Sequence, residues 1–343
     1  MRLRNPLTIL FLSLVSLTGC AEQAHTGPNP LTFQRGQQLL AAGSPKSAIP
    51  LLTQTIVSMP DGPEPVALLA LAYALDLQHD RAITQAHQVR RTDGSKPGWE
   101  MVAIGIAEMS KNRPAEASTT LARIVSDAPK GSTLMQASGQ WLLFSLILNR
   151  DYARASAVAK CFSHDPNMQT TSLLWSTLLE AEQGHNKAAT DFLVQCAKLS
   201  TNDSGTRALH GDLVAADDQG RYDAAIAALA TGDLDTARKL FEIVRINSPL
   251  ESDAPVWLAL IAGANHDWES CRAGLKDACE HGSTDSCGLA NQLFSVVCAI
   301  EDRPDDMIDS VLAGQRLVGR NSTPAYIVDQ PKPESVWFSD SMK

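Results

Sequence analysis

Apolar residues along most of this chain recur with the three-to-four-residue spacing of amphipathic helices, and small residues punctuate them at a longer, regular interval. Ala48, Ala82, Ala117, Ala155, Ala189, Ala237, Cys271 and Asp305 mark that interval, with successive separations of 34, 35, 38, 34, 48, 34 and 34 residues. Twelve residues before each mark stand Gly36, Ala70, Gly105, Leu143, Thr177, Ala225, Ala259 and Leu293, five of the eight being Gly or Ala. Two antiparallel helices approach closely only where small side chains face each other, so the offset predicts helix pairs with each mark on the second helix. Repeats one, two, three, six and seven carry this signature, whereas repeats four, five and eight rest on spacing and amphipathic pattern. The single long separation places an inserted helix or loop around Asn202–Asp218 and divides the array into 31–203 and 218–319, with the insertion at 204–217.

The clearest repeat, Gly232-Asp233-Leu234-Asp235-Thr236-Ala237-Arg238-Lys239-Leu240-Phe241 followed by Val244 and Pro249, resembles the second helix of a tetratricopeptide repeat, with its Ala-x3-Phe and terminal Pro. The resemblance covers about residues 31 to 319. It implies an all-α fold, a right-handed superhelical solenoid of about eight antiparallel helix pairs. Composition agrees: the chain is 44% hydrophobic but only 5% aromatic, which suits helices packed through small side chains. Beyond the array, Pro324, Pro331 and Pro333 rule out a continuing helix, so 320–343 reads as an extended tail whose Val336, Trp337 and Phe338 can dock on the last helix pair or enter a partner.

The N-terminus changes the picture from a free solenoid to an anchored one. Arg2 and Arg4 precede an apolar run, Leu7–Leu17, too short to span a bilayer but suited to a signal-peptide core. Leu17-Thr18-Gly19-Cys20 resembles the lipobox of bacterial lipoproteins, which implies cleavage after residue 19, acylation of Cys20 and a tether over 20–30. In that family an Asp after the cysteine often marks the inner membrane; Ala21 implies instead the outer membrane, with the array facing the periplasm. Loss of Arg2 and Arg4 takes the net charge from −9 to −11, a balance that disfavours nucleic acid and anionic lipid as partners and leaves attachment to the acyl chains.

Six cysteines remain besides Cys20, an even number that in an oxidising compartment predicts disulfides. Cys279-Glu280-His281-Gly282-Ser283-Thr284-Asp285-Ser286-Cys287 resembles the cysteine-rich variant of Sel-like repeats, which implies a Cys279–Cys287 bridge across adjacent helices. Folding that hairpin brings Cys271 near Cys298, a second expected bridge, and Cys161 with Cys196 is a third candidate pair, competing with a role for both as small buried apolar residues. A zinc site from Cys279, His281, Cys287 and His266 is disfavoured because neither cysteine pair has the short spacing of zinc ligands.

No Gly-rich phosphate loop, His-Glu-x-x-His or Gly-x-Ser-x-Gly occurs, so neither an enzyme nor a cofactor is expected. Asp217-Asp218 and Asp305-Asp306 sit where carboxylates meet helix N-termini. If first helices line a concave face, Trp99, Met109, Phe144, Leu148 and Tyr222 project into a partner-binding groove, although such residues are more often inter-helix core. The reading is an anchored adaptor binding envelope proteins or peptides in an assembly, secretion or cell-wall machine. Its rivals are a ligand-binding or enzyme-regulating module for cell-wall components, with a polar, aromatic pocket near 202–218, and a passive spacer.

Overall fold

The computed structural model describes residues 30–59, 62–89, 98–129, 132–163, 169–200, 217–247 and 253–321. The signal peptide, Cys20, nearly all of the tether, the insertion up to residue 216 and the tail from 322 lie outside the described residues. Sixteen helices and no strand occupy the described ones: α1 Pro30–Ala41, α2 Pro45–Ser58, α3 Pro63–Leu75, α4 His79–Ala86, α5 Trp99–Ser110, α6 Pro114–Asp127, α7 Thr133–Leu148, α8 Tyr152–Phe162, α9 Gln169–Glu182, α10 Asn186–Ser200, α11 Asp218–Thr231, α12 Leu234–Asn247, α13 Ala254–Ala264, α14 Trp268–His281, α15 Thr284–Ile300 and α16 Pro304–Asn321. The fold is all-α, built from consecutive antiparallel helix pairs of tetratricopeptide type.

Each pair turns on the same local device. The last residue but one of the turn adopts a left-handed backbone: Gly43, Leu77, Asn112, Arg150, Gly184, Gly232, His266 and Asp302, with φ between 58° and 86°. The next N–H then reaches back to close a six-residue loop on the first helix, as in Ser44→Leu39 O at 2.8 Å, Arg113→Glu108 O at 2.9 Å and Asp267→Ala262 O at 3.0 Å. That residue opens the second helix, so chain direction reverses within a few residues. A side chain at positive φ costs about 1–2 kcal/mol, and Leu77, Arg150 and His266 accept it without the ease of glycine.

Five residues beyond each left-handed position lies the small residue of the second helix, from Gly43 and Ala48 to His266 and Cys271. Counting from Asp302 instead gives Met307, not Asp305. Met307 and the residue twelve before it, Ser295, are both fully buried, whereas the Asp305 side chain is 57% exposed. The eighth repeat therefore runs two residues later than the 34-residue period places it. The other seven pairs keep the expected offset, and all fourteen positions are buried, including Leu143 with Ala155 and Thr177 with Ala189 in repeats four and five.

Close approach explains the choice of residues. A Cβ on Gly36 would lie 2.9 Å from Leu52 Cδ2, and one on Gly105 would lie 2.7 Å from Leu121 Cγ. Both contacts join residues sixteen apart. At the equivalent positions Ala225 is matched by Phe241 and Ala259 by Leu275, all of them fully buried. Bulk on one helix is offset by smallness on the other.

The two helices of a pair differ in how much they bury. Several first helices are buried on nearly every side: α3 buries Pro65 to Ala72, Ala74 and Leu75, and α7 buries Met135 and most of Ala137 to Leu148, whereas α1 leaves Leu31, Gln34, Arg35 and Gln38 exposed. Second helices bury a single stripe, such as Ala117, Ser118, Leu121, Ile124 and Val125 on α6 or Cys271, Leu275 and Ala278 on α14. An all-round apolar helix must be interior and an amphipathic one must have a wet face.

The chain forms two compact units, residues 159–301 and, among the described residues, 30–158 with 302–321. The division falls inside α8 and before α16, not at the insertion. Within the second of these units α16 packs on the N-terminal repeats: Arg316 Nε donates to Gly43 O at 3.0 Å, Leu312 O lies 2.5 Å from where a Gly43 Cβ would be, and Asp305 sits 3.9 Å from His79 Nε2. Gly43, already left-handed, thus also admits the α16 backbone.

Two outcomes follow from these contacts. Gly105→Ala should destabilise the protein, yet the same change made beside Leu121→Ala should stabilise it, a coupling of about 0.5–3 kcal/mol in denaturant titrations; strict additivity would contradict the close approach. His79 has its pKa lowered, first by burial and then by Lys111, against the pull of Asp305 and Asp80. Its neutral form is the folded one, so its contribution is intact above the unfolded pKa of about 6.5 and is lost as pH falls through the lower folded value. Protection of the α16 amides, taken relative to the intrinsic exchange rate at each pH, should fall on acidification from pH 7.5 to 5, and His79→Gln should flatten that response. An identical response in the variant would contradict it.

Candidate interaction surface

The five residues expected to line a groove are not brought together as one. Met109, Phe144 and Leu148 are 1%, 0% and 7% exposed, and Phe144 stacks edge-on against the equally buried Trp141 with centroids 5.6 Å apart. They are core, because α5 and α7 bury most of their residues between neighbouring helices. Trp99, the first residue of α5, is half-buried. Tyr222, in the other unit, is also half-buried; its hydroxyl accepts from Trp257 Nε1 at 3.0 Å and its ring meets Phe241 edge-on at 5.7 Å. Burial, then Asp253, pushes its pKa well up, so it stays a neutral phenol in a packed aromatic cluster.

In the 159–301 unit the inner face is closed by the chain itself. First helices two and three repeats apart meet: α9 packs against both α13 and α15. A Cβ on Gly263 would lie 3.0 Å from Leu178 Cδ2, and the His266 ring donates from Nδ1 to Ala181 O at 3.0 Å. Trp175 is fully buried on α9, edge-on to Phe162 at 5.6 Å. Sequence reasoning missed this closure, although the all-round apolar character of α13 signals it; α9 instead buries Thr171, Ser172, Ser176 and Thr177 beside its apolar residues.

What remains open is the outer face of the second helices. On α12, Ile243 is 42% and Ile246 72% exposed, on the same helix face as Lys239 and flanked by exposed Arg238 and Glu242. Arg245 is drawn aside to Asp277 of α14 at 3.3 Å. Leu199, near the end of α10, is 47% exposed. The strip is short, apolar and rimmed mainly by positive charge in a chain whose balance is acidic. An apolar pair at helical spacing on the solvent face of an amphipathic helix is unusual enough to mark a contact site. A helix-pair array with such a face suits a protein-interaction scaffold.

The cysteines separate into two environments. The described residues contain no disulfide. Cys196 and Cys271 are fully buried, and burial pushes both thiols up to about 12. Cys271 fills its repeat's register position, its Sγ 3.2 Å from the Cβ site of Gly263 on α13, and no bridge joins it to Cys298, itself fully buried on α15. Cys161 is buried on α8, its pKa raised by desolvation, and no bridge joins it to Cys196. Cys279 and Cys287, by contrast, are adjacent across the α14–α15 turn. The Cys287 Sγ donates to Cys279 O at 3.2 Å.

No protein-family model and no curated protein sequence matches the chain. Among solved structures, the tetratricopeptide-repeat domain of P58(IPK) is similar at 13% identity over 85% of this chain and 98% of that domain, with a TM-score of 0.24. So low a score leaves the fold to be judged from the helix pairing and its register. Among the described residues no three His, Cys, Asp or Glu side chains are grouped to hold a metal ion, and no helix is long and apolar enough to cross a membrane. The carboxylates before helices act as caps: Asp217 accepts from Gly220 N at 2.7 Å, and Asp267 accepts from Ser270 N at 3.1 Å.

Proposed function

We propose that this protein is a scaffold that binds other proteins on the outer face of its second helices, held to a bacterial envelope membrane through an acylated Cys20. The observation that carries the binding surface is the exposed Ile243–Ile246 pair on α12 beside Lys239 and Arg238. Its chemistry fits a partner segment with one or two apolar anchors and an acidic rim, docked on a helix face. Support for the anchor is the Arg2, Arg4, Leu7–Leu17 and Leu17-Thr18-Gly19-Cys20 pattern. Ala21 favours the outer membrane, with partners drawn from periplasmic assembly, secretion or cell-wall machinery.

The spacer reading differs in what it tolerates. Ile243→Glu with Ile246→Glu changes two exposed side chains, so folding should survive, with helix content and thermal midpoint close to those of the parent. Chemical crosslinking in intact producing cells should then lose the proteins joined to the parent chain. The same crosslinked set from both chains would sink this surface as the docking site, and a Cys20→Ser chain that still fractionates with the membrane as the parent does would remove the anchor.

A further inference from the structure

We propose that Cys279 and Cys287 form a reversible thiol–disulfide exchange site, entered at Cys279 by a small thiol or disulfide of the glutathione class, rather than an inert clamp on the last repeats. The geometry places the two sulfurs in unlike settings. Cys279 stands in the last turn of α14, half-buried and open to solvent on one side, with Glu280 beside it. Cys287 lies in the first turn of α15, 9% exposed, where Ser283 caps the helix by accepting from Ser286 N at 3.1 Å. Asn291, one turn on and itself buried, donates from Nδ2 to Cys287 Sγ at 3.4 Å and to Cys287 O at 2.8 Å.

Two groups at Cys287 favour sulfur as an anion, while burial and the Cys279 carbonyl oxygen, which accepts from Cys287 Sγ at 3.2 Å, favour the thiol. The helix N-terminus presents positive potential and the Asn291 amide supplies a donor. The hydrogen bond with Cys279, then that with Asn291, lowers the Cys287 thiol to about 7 despite desolvation, while the same thiol–thiol bond and burial raise Cys279. A disulfide is reduced more readily when one sulfur leaves as a stabilised thiolate. Stabilisation of the reduced state is what distinguishes an exchangeable bridge from an inert one.

The steps balance. In closing, the small thiolate fraction of the solvent-facing Cys279 attacks glutathione disulfide and one glutathione thiolate leaves, a step slowed by the raised Cys279 thiol. Cys287 thiolate then attacks the Cys279 sulfur of the mixed disulfide and expels the second. Two electrons pass from the cysteines to glutathione disulfide, and the two thiol protons end on the two glutathiones. Opening is the reverse, with glutathione thiolate arriving at the exposed Cys279 sulfur and Cys287 departing as the thiolate held by Asn291.

The test is a glutathione titration of the full-length folded protein, read by alkylation of remaining thiols and peptide mass mapping. The 279–287 pair should close in glutathione disulfide and reopen in glutathione, while Cys196 and Cys271 stay unalkylated in the folded chain. Asn291→Leu should demand on the order of tenfold more glutathione for half-reduction, the weight of one hydrogen bond to a charged group. Cys287→Ser, a near-isosteric change, should strand glutathione on Cys279 as a stable mixed disulfide, which keeps the idea testable should Asn291→Leu not fold. A bridge that never closes, one that closes but resists excess glutathione, or absence of the Cys279 adduct in Cys287→Ser would overturn the proposal.

Discussion

Everything in this molecule depends on how closely two helices of a pair can approach, and that distance is set by one small residue facing one larger one. Gly105 against Leu121 and Gly36 against Leu52 show the limit, with no room for a single methyl group. Repetition of this contact gives each repeat a dry seam, and the left-handed turn five residues before the second-helix position sets its register. Within each unit most first helices bury more of their surface than the second helices beside them, and the second helices keep a wet face.

Helix pairing was legible because small residues recur at a fixed offset, and periodicity is the most durable signal a repeat protein carries. Repeat five, weak by composition, holds because Thr177 is matched by Leu193, a combination that a search for Gly or Ala at one position does not see. Repeat eight slipped by two residues because the period was applied where a turn moved it: Asp302, not residue 300, takes the left-handed conformation. Five of the eight turn residues, Gly43, Asn112, Gly184, Gly232 and Asp302, advertise that conformation; Leu77, Arg150 and His266 do not, since tertiary packing imposes it.

The candidate site was less legible for a physical reason. Large apolar residues on first helices were read as a groove, yet an apolar side chain looks the same in sequence whether water or another helix lies opposite. Met109, Phe144 and Leu148 meet helices. The better signal was the reverse one: Ile243 and Ile246 fall outside the buried stripe of Ala237, Leu240, Phe241 and Val244 on their own helix, so their apolar character has no internal use. The cysteine pair was legible in position through its turn, Gly282-Ser283, whereas the contrast between Cys279 and Cys287 depends on Asn291, which only folding brings to the sulfur.

The central claim, that partners meet the wet face of the second helices and not an inner groove, is tested most directly by placing a photoreactive amino acid at Ile246 on one version of the chain and at Trp99 on another, then illuminating the producing cells. The account predicts covalent protein adducts from position 246 and none from position 99. Adducts from position 99 alone would contradict it and return the binding site to the first helices.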